Sequence, residues 1–123
     1  MNETKILSLF VSVFFLAGCS LVSSSTDGGV FRSDDGGKVF AQKVKIDEKT
    51  AIGSADVLSM AANPQNGKEV YIGTKSSGIF KTTDGGEIWQ SLKVSEGQIS
   101  KAYSFAIDPV SPNIIYVAAI VDG

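Results

Sequence analysis

The chain repeats itself, and the period of the repeat limits its fold more than any other feature. Ser59-Met60-Ala61-Ala62-Asn63-Pro64 returns as Ser104-Phe105-Ala106-Ile107-Asp108-Pro109, and Val70-Tyr71-Ile72 returns as Ile115-Tyr116-Val117, both displaced by 45 residues without a gap. Gly78 and Gly123 keep the same displacement. A second set, Gly29-Val30-Phe31-Arg32-Ser33 against Gly78-Ile79-Phe80-Lys81-Thr82, recurs at 49, so the first unit carries four more residues. A loop absorbs that difference, because closure entropy grows only with the logarithm of loop length.

Periods in the forties, with short strands and tight turns, are those of propeller blades. The apolar runs predict strand A over 57–62, B over 69–74, C over 78–82 and D over 88–94. In B, Val70 and Ile72 take one face while Tyr71 and Gly73 take the other, the two-residue period of a strand. The same grammar predicts a C and D pair near 28–33 and 38–46, and an A and B pair near 103–107 and 114–120. The expected fold is all-β. It is an incomplete β-propeller of four-stranded antiparallel blades over 28–123, about two blade-equivalents with one whole blade near 57–94, preceded by an N-terminal signal helix. A ring needs ~4 to 8 blades. The chain is therefore read as a fragment of a longer protein, with a self-assembling multimer as the alternative. The N-terminal C and D pair is the half-blade that a returning A and B pair would complete.

Residues 6–18 form an apolar block of 13 residues, which as a helix spans only about 20 Å against a hydrocarbon core of ~30 Å. Its length suits a signal-peptide core, so 1–18 is expected to be a cleavable leader. Leu16-Ala17-Gly18-Cys19 closes the block and resembles the lipobox of bacterial lipoproteins. The resemblance implies that Cys19 is lipidated, becomes the first residue of the mature chain and anchors it in a membrane. Residues 19–27 read as a flexible polar tether. Ser20 follows the cysteine where an Asp would favour retention at the inner membrane, so the resemblance implies anchoring in the outer membrane of a host with two membranes and otherwise in the cell membrane, with the protein facing the periplasm or the exterior.

Composition removes much common chemistry. The chain has one cysteine and no histidine, which excludes an internal disulfide, a CxxC metal site and a Ser-His-Asp triad. Eleven Lys and Arg stand against 13 Asp and Glu, a net charge of -2. With no basic cluster, nucleic acid is not an expected partner. No cofactor is expected.

Between the C and D strands stand Ser33-Asp34-Asp35-Gly36-Gly37-Lys38-Val39-Phe40 and Thr82-Thr83-Asp84-Gly85-Gly86-Glu87-Ile88-Trp89. Both resemble the Asp-box, or bacterial neuraminidase repeat, a match strengthened by the flanking Tyr-Ile-Gly-Thr and Ile-Phe-Lys-Thr-Thr-Asp-Gly-Gly, and the repeat as a whole, with Asn-Pro or Asp-Pro after strand A and Val-Tyr-Ile-Gly-Thr, resembles the sortilin, photosystem II assembly factor and xyloglucanase group of propellers. A carboxylate at Asp35 or Asp84 can accept the amides of its own turn, and Gly37 and Gly86 supply positive φ. The Ser33 and Thr82 hydroxyls add a local cap, and Phe40 and Trp89 supply a large apolar side chain to bury. These residues are read as structural. The six-oxygen spacing of a calcium loop is absent around Asp34, Asp35 and Asp84, and no metal is expected.

Two functions of different class remain. The first is a non-catalytic binding or assembly module on a membrane, recognising a protein or a glycan through the propeller loops. The alternative is a cell-surface glycoside hydrolase with most of its catalytic carboxylates outside this chain. For the latter, Asp56 and Asp108 are the candidates, both near A strands; Asp108 precedes a proline and also reads as a turn former, and Asp56 as a solvated loop residue. A sialidase is disfavoured, because a sialic acid carboxylate takes several arginines and this chain has only Arg32. Tyr71, Tyr116, Trp89 and Phe105 could stack on sugars, although aromatic residues at strand spacing are more commonly core.

Overall fold

A computed structural model describes residues 28–94 and 97–122. The predicted signal helix, the lipobox at Leu16–Cys19 and the tether to Asp27 lie outside the described residues, as do Ser95, Glu96 and Gly123. Within them the protein is all-β, with no helix, and its eight strands form three antiparallel sheets. Sheet I pairs β1 (Phe31–Arg32) with β2 (Ala41–Gln42). Sheet II is the four-stranded meander β3 (Val57–Asn63), β4 (Asn66–Thr74), β5 (Ile79–Thr82) and β6 (Gln90–Leu92). Sheet III pairs β7 (Gln98–Ile107) with β8 (Ile115–Asp122). Three small sheets in series, one of them a complete meander, are consistent with part of a propeller.

The sequence repeat is also a repeat of register. Ser59 faces Gly73, Met60 faces Ile72 and Ala61 faces Tyr71, and 45 residues on, Ser104 faces Ala118, Phe105 faces Val117 and Ala106 faces Tyr116. Both first strands shift register at the same place, between Val57 and Ser59 and between Ala102 and Ser104. Likewise Phe31 faces Gln42 as Phe80 faces Ser91, and Arg32 faces Ala41 as Lys81 faces Gln90. A bulge repeated at one position is a built bend rather than a local defect.

Strand ends differ modestly from the sequence expectation, for local reasons. β4 begins at Asn66 because the β3–β4 turn is tight and is closed by Asn63, whose Oδ1 accepts the Gln65 amide at 2.9 Å. β6 begins only at Gln90 because the two preceding amides have other partners, Ile88 N–H donating to Asp84 Oδ1 and Trp89 N–H to the Lys45 carbonyl. β2 is short for a related reason. After Gln42 the chain leaves the ladder, and Ile52 N–H donates to the Val44 carbonyl in a side loop.

Sheet II is covered on both faces, which explains why β4 is buried from Tyr71 through Thr74. Toward sheet I, Ile72, Phe80 and Trp89 pack with Val30 and Ile52, flanked by Val44, Ile46 and Val70. Toward sheet III, Ile79 packs with Ile99 and Ala102, flanked by Phe105, Val117 and Ala119. The second seam is tight at one point. A Cβ on Gly73 would lie 2.6 Å from the Ala102 carbonyl oxygen and 2.7 Å from its Cβ, so only glycine lets the two sheets approach this closely.

Candidate functional site

The two Asp-box turns share one core of hydrogen bonds. Thr82 Oγ1 donates to Asp84 Oδ1 at 2.7 Å and accepts the amides of Asp84 and Gly86 at 3.3 and 3.0 Å. Asp84 Oδ1 in turn accepts the Ile88 amide at 3.0 Å. Ser33 does the same with Asp35 at 2.7 Å and with the amides of Asp35 and Gly37 at 3.4 and 2.8 Å, and Asp35 Oδ1 accepts Lys38 and Val39, both at 3.0 Å. The hydroxyl donated to each carboxylate, with the turn amides behind it, holds both carboxyls below their ordinary range. Gly86, at φ +95°, also leaves room for the Lys43 side chain, which a Cβ would meet at 3.1 Å. All their oxygens that bond do so inward, to the turn itself, and that is the geometry of a clamp on the backbone.

From these turns the seam between sheets I and II is tied. Arg32 forks onto Asp34 through two 2.9 Å bonds and reaches across to the Gly85 carbonyl at 2.6 Å. Lys43 Nζ meets Glu87 Oε1 at 2.6 Å. Trp89 passes beneath, 1% exposed, and its Nε1 donates to the Lys43 carbonyl at 2.9 Å.

A second polar cluster sits beside the other seam. Glu69 accepts from Tyr71 Oη at 2.5 Å, from Lys81 Nζ at 2.7 Å and from Asn63 Nδ2 at 3.1 Å. These donors, Lys81 first, bring the Glu69 carboxyl down to about 2. Burial and the bond to Glu69 push the Tyr71 hydroxyl up, and the bond to Glu69 raises Lys81. The Lys81 ammonium lies 5.1 Å from the Tyr71 ring centre, and the ring also meets sheet III, with the Phe105 centroid 6.4 Å away. Sequence reasoning did not single out Glu69 or Lys81. The signal was available in the alternation that puts Glu69 and Tyr71 on one face of β4, with Lys81 the cross-strand partner of Tyr71.

The structure does not bring Asp56 and Asp108 together. Asp108 Oδ1 accepts the amides of Val110 and Ser111, both at 2.8 Å, and these bonds lower its carboxyl. Asp56 is solvated, its carboxylate 3.9 Å from Lys75 Nζ. The Asp108 turn lies against the β3–β4 turn, where Gln65 Nε2 donates to the Pro109 and Val110 carbonyls at 2.9 and 3.2 Å. Asp56 precedes the opposite end of β3, some ~20 Å away along a seven-residue strand. An acid and base pair of the glycosidase kind stands about 5 to 9.5 Å apart. Of the aromatic residues considered for stacking, Trp89, Tyr71 and Phe105 serve the seams, and Tyr116 is 65% exposed. Among the described residues no three His, Cys, Asp or Glu side chains are grouped as a metal site requires.

An apolar groove of about 410 Å³ lies between sheets II and III, lined by residues including Tyr71, Ile79, Leu92, Val94, Phe105 and Val117. The family model Sortilin-Vps10, described as "Sortilin, neurotensin receptor 3", matches residues 28–120. Neither the curated proteins nor the solved structures contain a match.

Proposed function

This chain belongs to the Sortilin-Vps10 family, and on that footing we propose that it is a non-catalytic binding or assembly module, tethered outside the cytoplasm through a lipid on Cys19. The propeller loops, not an acid and base pair, meet the ligand, which is a protein or a glycan. The observation that carries this reading is the separation of Asp56 from Asp108, since each carboxylate near a first strand is tied to its own turn or to a lysine. The family description, which names a receptor, supports recognition over turnover. Localisation follows from the leader and the lipobox by resemblance.

The experiment incubates the full chain, in bacterial membranes, with an array of immobilised envelope glycans and scores retention and new reducing ends together. Retention without new reducing ends supports a binding module. New reducing ends that disappear in Asp56→Asn or Asp108→Asn overturn it in favour of a hydrolase. Anchoring is tested separately by Cys19→Ser. The variant is expected to lose labelled palmitate and to leave the membrane fraction, and retention of both overturns the tether.

A further inference from the structure

At the β3–β4 and β7–β8 turns, three side chains fold over the backbone in the same way. Asn63 Oδ1 accepts the Gln65 amide at 2.9 Å, Asn66 Oδ1 accepts the Lys68 amide at 3.2 Å, and Asp108 Oδ1 accepts the Val110 amide at 2.8 Å. Each bond runs to the second residue on, so the ring it closes encloses the peptide nitrogen of the residue between. After Asn63 and Asp108 that residue is Pro64 or Pro109, whose nitrogen carries no proton. After Asn66 it is Gly67, whose nitrogen does.

Neither structural reason for a glycine applies at Gly67. Its φ lies outside the left-handed region, and a Cβ built on it would meet nothing within 4 Å. The matching turn of sheet III has Ser111 and Pro112 in the places of Asn66 and Gly67, so the repeat does not require the pair either. What the pair supplies is chemistry, an amide carbonyl folded toward a backbone nitrogen that no side chain crowds. The Lys68 amide already sits on Oδ1, the atom that gathers negative charge when such a carbonyl is attacked. Water reaches the place, since Asn66, Gly67 and Lys68 are exposed. Ser111 and Pro112 have sheet II beside them and are still only half-buried, so a neighbouring turn does not seal this position.

We propose that Asn66 is a site of spontaneous modification, at which the folded chain converts asparagine to aspartate and isoaspartate through a cyclic imide. Hydroxide takes the Gly67 amide proton, and the nitrogen bonds to Asn66 Cγ. The bond from Cγ to Nδ2 then breaks, and that nitrogen takes a proton from water and leaves as ammonia, which returns the hydroxide. Water next opens the imide. Cleavage at Cγ restores the backbone and leaves an aspartate, whereas cleavage at the main-chain carbonyl carbon routes the chain through the side chain as isoaspartate. Water alone is consumed, and nothing is oxidised or reduced.

Either product adds a negative charge, and isoaspartate lengthens the backbone of β4 at its first residue. Flanking it are Lys68, whose carbonyl accepts the Gly85 amide at 2.9 Å, and Gln65, whose side chain donates to the Pro109 and Val110 carbonyls. Conversion therefore loosens the Asp-box turn of sheet II and the turn-to-turn contact with sheet III together. It acts as an ageing clock for this end of the module.

The test incubates the full chain, folded in bacterial membranes, at mildly alkaline pH, then maps its peptides by fragment mass and by labelling with an isoaspartyl methyltransferase. Asn66 is expected to exchange an ammonia for a water in mass and to take up methyl groups, faster as hydroxide rises. Asn63 and Asn113, followed by Pro64 and Ile114, are expected to stay unchanged. Gly67→Ala fits the open space and is expected to slow the conversion several-fold without unfolding the chain. In the converted fraction, hydrogen exchange at the Gly85 amide is expected to speed up. A folded chain whose Asn66 stays intact while the same chain in denaturant converts overturns the proposal, as does conversion of Asn113 at the same rate. Unchanged exchange at Gly85 overturns the loosening.

Discussion

The turns at 33–40 and 82–89 are made by the same hydrogen bonds, yet Phe40 is 60% exposed and Trp89 is 1% exposed. The local grammar bends the chain and aims an aromatic side chain; the burial comes from the neighbouring sheet. Trp89 has sheet I and its following loop as a roof, whereas no sheet among the described residues roofs Phe40. Apolar residues in a repeat of this kind are thus complementary to the next unit rather than to their own strand pair.

The comparison is sharpest for the two aromatics. Trp89→Ala is expected to cost about 3 to 5 kcal/mol, because it empties the centre of a core and strands the Lys43 carbonyl. Phe40→Ala, measured by denaturant unfolding, is expected to change stability by less than about 0.5 kcal/mol. Equal losses at both sites break the argument. Next in size is the closest approach of two sheets. Gly73→Ala is expected to cost up to about 3 kcal/mol, since the new methyl meets backbone at 2.6 Å. Its counterpart Ala118→Gly should be close to neutral in the same assay.

Acid sensitivity separates sheets II and III as well. The Glu69 carboxyl sits at about 2 when folded against an ordinary 4.5. A depressed value means the unfolded chain binds the proton more readily, so the stabilisation is full above pH 4.5 and fades as pH falls toward 2. It amounts to on the order of 2 kcal/mol once partial exposure is allowed for. Glu69→Gln is expected to flatten that limb of a stability-against-pH curve. Ile114, the equivalent residue beside sheet III, gives no such limb. A loss smaller than that at Glu69 is expected at the Asp-boxes. Asp84→Ala should cost about 1 kcal/mol and speed hydrogen exchange of the Ile88 amide, while Asp35→Ala should act on the Lys38 and Val39 amides with a smaller loss of stability.

The all-β class and the repeat were legible in the sequence because both follow from local alternation and turn chemistry. Val70 and Ile72 do face sheet I, and Tyr71 and Gly73 do face sheet III. Strand ends were less legible. Ile88 and Trp89 look like strand by composition, but their amides are taken by Asp84 and by the Lys45 carbonyl. The cluster at Glu69 escaped notice because it depends on a pairing between β4 and β5 that no single segment announces. For Asp56 and Asp108, nearness to first strands was readable; that they flank opposite ends of the seam follows only from how the sheets stack.

Every ladder among the described residues joins strands that are consecutive along the chain. Pairing therefore closes only short loops, and a chain so arranged has no long-range strand to wait for during synthesis or export. Order is expected to start in the β3–β6 meander and spread outward one hairpin at a time, in the manner of a one-dimensional zipper. A polypeptide of this architecture can lengthen or shorten by whole units over evolutionary time without relearning how to fold.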